Sequence, residues 1–135
     1  MSPAAALCHH RCMREGAIEE AASILRARGA VFAFLHGSQA GGTASDASDV
    51  DVAALFRDPA PASFEVDLPA DVDLLVLNSA PLELRGRVAL DGVLILDEDP
   101  IARVSWVAQT RKVYSDEKYR IDRSHAEFLE AVRGG

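Results

Sequence analysis

Residues 49–56, DVDVAALF, constrain the fold most tightly, because two aspartates one residue apart head a run that is otherwise apolar. Asp, Val, Asp, Val followed by a wholly apolar end is the pattern of a β-strand whose beginning has one polar edge. Residues i and i+2 of a strand share a side at about 6.6 Å along the chain, so Asp49 and Asp51 project together while Val50 and Val52 face the opposite layer. Two carboxylates placed so repel each other and lose hydration. No lysine or arginine is close in sequence to pair with them. A cation is wanted there, and Mg2+ pairs, roughly 3.5 to 4 Å apart with oxygen ligands, suit two or three strand aspartates. The plainer use of the pair is as strand-end residues that meet water or bond within a turn.

The flanking segments punctuate cleanly. Ala17, Ala21, Ile24, Leu25 and Arg28 keep helical spacing over 17–28, and Gly29 is suited to end that helix. AVFAFLH at 30–36 reads as a buried strand. The small-residue loop 38–48 has room for a short helix or a phosphate-binding turn. Residues 57–70, rich in proline, read as loop; 71–77, DVDLLVL, as a strand; 81–90 as a short helix despite Gly86; and 92–97, GVLILD, as a strand. Asp99-Pro100 is a good helix start, and helical spacing then persists to the C-terminus as one helix or two divided near Ser115. The result is an α/β (α+β) domain, a small mixed β-sheet flanked by helices.

Ten residues separate Gly37-Ser38 from Asp49, giving the pattern GSx10DxD. Chance alone yields such a match in about one chain of this length per several hundred. The segment FLHGSQAGGTASDASDVDVAALF resembles the minimal nucleotidyltransferases, a branch of the DNA polymerase β nucleotidyltransferase superfamily, and the similarity extends over roughly residues 17–132. It implies a polymerase β-like nucleotidyltransferase fold with a third aspartate on a following strand. Asp73, which opens VDLLVLN, matches best, with Asp71 as the rival. By the same resemblance Gly37 and Ser38 meet the nucleotide's phosphates, Asp49, Asp51 and Asp73 are the catalytic and metal-binding trio, and Mg2+ and ATP, or another NTP, are the cofactor and donor. The implied partner is a HEPN-domain ribonuclease toxin, which the transferase neutralises as an antitoxin by adenylylating it. One departure stands out: where the family commonly has the arginine of GSxARG, this chain has Gly41. That keeps a second reading open, a weakly catalytic antitoxin that acts by binding alone. A third, a small-molecule transferase of the aminoglycoside-modifying kind, needs an acceptor pocket that so short a chain builds only as an oligomer.

Length and charge narrow the field further. At 135 residues, 49% apolar and 26% charged, the chain has the makings of one soluble domain, taken as 14–135, with cytoplasmic location expected. A net charge of −7 disfavours a broad surface for duplex DNA, and no apolar stretch is long enough for a bilayer. Cys8, His9, His10 and Cys12 lie too close together for a structural zinc site without a distant second pair. Residues 1–13, which end at the Met13 that opens MREGAIEE, are instead expected to be a disordered extension, or residues 1–12 to lie upstream of a natural start at Met13. His36, next to Gly37, more often packs locally than touches nucleotide. The acidic run 97–100 is explained by helix capping and solvation, the basic residues from Arg103 to Arg123 by a solvated helix face, and Trp106 and Tyr114 by core packing.

Overall fold

The computed structural model describes residues 3–36 and 50–134, with side chains described over 15–36 and 50–133. In chain order, α1 (Pro3–Ala27) leads into β1 (Ala30–His36), followed by β2 (Val50–Phe56), a 3-10 turn at Ser63–Glu65, β3 (Val72–Val76), α2 (Leu82–Asp91), β4 (Val93–Asp97) and α3 (Pro100–Gly134). The strand order is β3-β2-β1-β4. β1 is antiparallel to both neighbours, whereas β2 and β3 are parallel. The sheet is therefore mixed. β3 and β4 run the same way at opposite edges, which requires the crossover that α2 provides.

Alternation along the strands sorts their side chains into two layers. Ala33, Val50, Val52, Ala54, Phe56, Val72, Val76 and Leu96 pack with Ala21 and Leu25 of α1. On the other face Phe32, Phe34, Ala53 and Leu77 meet Val88 of α2 and Trp106 of α3. The Trp106 ring lies 5.3 Å from Phe32 and 6.1 Å from Phe34, centre to centre, so it serves the core. Gly29 has φ +90°, the left-handed conformation that lets α1 turn directly into β1.

The helices differ from expectation in extent. α1 reaches back to Pro3, through residues set aside as an extension, and Ala4-Ala5-Ala6-Leu7 are strong helix formers. α3 runs unbroken past Ser115, because a serine with neither glycine nor proline beside it does not stop a helix. Asp99 caps it as expected, its Oδ1 accepting the Ala102 N–H at 3.1 Å. Asp97 and Glu98, however, are paired and not merely solvated. Arg103 donates to Asp97 Oδ2 from Nε and Nη2, and Arg26 of α1 pairs with Glu98, so both helices are tied to the end of β4.

Two residues finish the frame. Asn78 donates from Nδ2 to Phe56 O and accepts the Phe56 N–H at Oδ1, both at 2.9 Å, extending the β2–β3 ladder beyond β3. Gly86 lies where α2 crosses α3: a Cβ there would meet the Tyr114 ring at 2.1 Å. Glycine inside a helix costs about 1 kcal/mol relative to alanine, yet overpacking a tight contact costs about 1–3 kcal/mol, and this contact is severe. Gly86→Ala is accordingly expected to destabilise the chain by about 2 kcal/mol in urea unfolding, and to be neutral or stabilising in a Tyr114→Ala background.

Candidate active site

The β-ladders bring a polar row together at one end of the sheet. Asp51 on β2 is the register partner of His36 on β1 and of Asp73 on β3. Each lies two residues from Phe34, Ala53 or Leu75, which all face the α2 and α3 layer. His36, Asp51 and Asp73 thus stand on one face, one per strand, with neighbouring strands about 4.8 Å apart. The apolar rows behind them pack against the helices. Asp51 and His36 are half-buried and Asp73 is exposed.

Burial of the opposite face fixes this arrangement. Val50, Val52 and Val72 are at most 8% exposed against α1. A slip of one residue would turn those valines out and drive the aspartates into the core, so the register is strongly specified. The Val50 N–H bonds to Asp71 O at 2.8 Å, opening the ladder. Asp71 precedes β3, and it is Asp73 that the pairing sets beside Asp51.

Gly37, Ser38, Gly41 and Asp49 lie outside the described residues. Arg57, the cation nearest in sequence to the strand aspartates, is at the other end of β2. Its N–H bonds to Gly29 O at 3.0 Å, roughly 20 Å from Asp51 at the rise of a strand. It is therefore no part of the polar row. Among the described residues no group of three or more His, Cys, Asp and Glu is arranged to hold a metal. The two in-register carboxylates nonetheless fit Mg2+, a hard cation that takes one or two carboxylates, keeps several waters and shares substrate phosphates.

Burial lowers the pKa of His36 below its ordinary 6.5, a larger effect than the opposing attraction of Asp51. The imidazole is therefore neutral at pH 7. Beside Asp73 a cavity of about 630 Å3 opens along the edge of β3, walled by Phe64, Val66, Leu68 and Pro69. Sequence marked this segment only as loop, and its one clue is Phe64, a large apolar side chain amid prolines that is 87% exposed. Only part of the basic run of α3 behaves as a solvated face: Arg120 pairs with Glu117 and Arg123 with Glu127, whereas Arg103 reaches Asp97 and Arg111 Nε donates to Ala89 O of α2 at 2.7 Å. Among the described residues no helix is long and apolar enough to cross a membrane.

A mixed sheet with paired carboxylates at one end of the central strand and its parallel neighbour is the frame of a nucleotidyltransferase domain. The family model for Polbeta (polymerase beta, nucleotidyltransferase) matches residues 19–101, more than half of the chain, and the chain belongs to that family. No curated protein matches the sequence. Solved structures share the fold. A chain of a toxin–antitoxin crystal structure with AMP-PNP is 23% identical with TM-score 0.69, over 83% of this chain and 98% of that one. A chain of the MntA–HepT toxin–antitoxin structure is 20% identical with TM-score 0.65, over 85% and 98%. A chain from the tri-AMPylated Shewanella oneidensis HEPN toxin in complex with MNT antitoxin is 21% identical with TM-score 0.56, over 82% and 98%.

The lowered pKa of His36 gives a pH dependence of definite sign. As pH falls below 6.5 the unfolded chain takes up the proton first, so stability is lost until the folded pKa is passed. In chemical denaturation between pH 7.5 and 5, the natural chain is expected to lose more stability than His36→Gln, whose side chain does not titrate.

Proposed function

We propose that this chain is an Mg2+-dependent nucleotidyltransferase that moves AMP from ATP to a hydroxyl of a HEPN toxin and thereby acts as its antitoxin. The observation that carries the reading is the pairing of Asp51 with Asp73 at the open end of the sheet in a polymerase β-type domain. The neighbouring structures supply the chemistry: one contains AMP-PNP and another an AMPylated HEPN toxin beside an MNT antitoxin.

In this reading Asp49 and Asp51 would hold Mg2+ with the triphosphate and Asp73 would complete the metal site beside the attacking hydroxyl, Gly37 lets the backbone approach the phosphates, and Ser38 offers them a hydroxyl and an amide. Bound Mg2+ supplies charge stabilisation for the phosphates during in-line displacement. Asp73, exposed at the edge strand, accepts the proton of the acceptor hydroxyl as its oxygen attacks the α-phosphorus. The bond to the bridging oxygen of the β-phosphate breaks, and pyrophosphate leaves. The cavity beside Asp73 gives the acceptor a way in from outside the sheet.

Label transfer from each α-labelled nucleoside triphosphate tests this, with the protein alone and with a co-encoded HEPN protein in Mg2+. The expected result is ATP-dependent labelling of the partner that falls at least about 100-fold in Asp51→Asn and in Asp73→Asn. A stable complex without any labelled partner would favour neutralisation by binding alone, and would direct attention to Gly41. Millimolar Mg2+ with ATP is also expected to raise the melting temperature of the natural chain by about 4 °C or more and to leave Asp51→Asn nearly unmoved.

A further inference from the structure

We infer that His36 is a positioning residue for the metal site, its imidazole N–H holding the Asp51 carboxylate in the orientation a divalent cation requires. The inference rests on the reading of Asp51 as a metal ligand. Its own ground is the antiparallel register of β1 and β2, which sets His36 directly opposite Asp51 on the same face of the sheet. Facing side chains in such a pair have Cβ atoms about 4.5–5.5 Å apart, a span that an imidazole and a carboxylate can bridge by choice of rotamer, although the two make no hydrogen bond in this structure. On its other side Asp51 faces Asp73, an acceptor when ionised, so His36 is the one N–H donor that the three-strand row offers it.

Position and environment suit that role. β1 is anchored by Phe32 and Phe34 under Trp106, so His36 is carried on a rigid strand two residues beyond a packed aromatic pair. It is half-buried, and an imidazole always carries at least one N–H, so a donor is available to the facing carboxylate. A carboxylate that ligates a metal is ordinarily fixed by a hydrogen bond to its remaining lone pairs, and removing such a partner typically weakens metal binding by about 10–100-fold. A histidine here also answers for its presence at the end of a strand otherwise composed of AVFAFL.

The test uses the full chain with Mn2+ as a paramagnetic probe and a non-hydrolysable ATP analogue, free and bound Mn2+ being separated by electron paramagnetic resonance. His36→Phe keeps ring bulk and removes the donor, while His36→Asn and His36→Gln place an amide N–H near one or other ring nitrogen. His36→Phe is expected to weaken Mn2+ binding about tenfold or more, with one of the amide variants recovering most of the loss. Metal-free melting curves confirm that each variant is folded. Unchanged Mn2+ binding in His36→Phe, or folded amide variants that both bind as poorly as His36→Phe, would overturn the role of His36 alone. Failure of the natural chain to bind Mn2+, or unchanged binding in Asp51→Asn, would overturn the metal reading of the aspartate row and this inference with it.

Discussion

The parallel pairing of β2 with β3 is the interaction on which the rest of the molecule depends. It sets Val50 against Val72 and Asp51 against Asp73 in the same stretch of ladder, so burial of the valines under α1 compels presentation of the aspartates on the other side. The hydrophobic effect thereby fixes the position of charged groups it does not favour. Roughly 2 kcal/mol for each buried valine is ample to hold a register whose slip would both expose valines and bury carboxylates.

The second face of the sheet is organised around fewer, larger contacts. Trp106 covers Phe32 and Phe34, and the close approach of α2 to α3 at Gly86 lets the Tyr114 ring sit where a side chain would otherwise stand. Arg103 and Arg26 fasten α3 and α1 at the far end of β4. These fastenings lie away from the polar row, since Asp97 is the register partner of Phe32 and not of the His36 end of β1. The packed part of the sheet supplies stability; at its other end His36 and Asp51 stay half-buried and Asp73 is exposed to solvent.

Much of this was legible in the residues. The strands announced themselves by period-two patterning, and Asp99-Pro100 marked the start of α3 by capping chemistry that is local to a few residues. Other features were not legible. The pairing of Asp97 and Glu98 with arginines from two helices joins residues up to 72 positions apart, and no local signal predicts it. Gly86 read as a weakness in a helix because propensity is local, whereas its reason is a ring on another helix. Arg57 is the cation nearest in sequence to the strand aspartates, yet an extended strand carries it to the opposite end of the sheet.

The sequence by itself determined the segments that become strands and helices and the side of β2 to which Asp51 belongs, since alternation along one strand is a property of the chain alone. The tertiary structure decided which residues stand beside Asp51. Cross-strand register is set by how whole layers pack, and packing brought His36 from β1 and Asp73 from β3 into its row. It also set Asp73, and not Asp71, opposite Asp51, because the residue at which a strand begins depends on the neighbour with which it forms its hydrogen bonds.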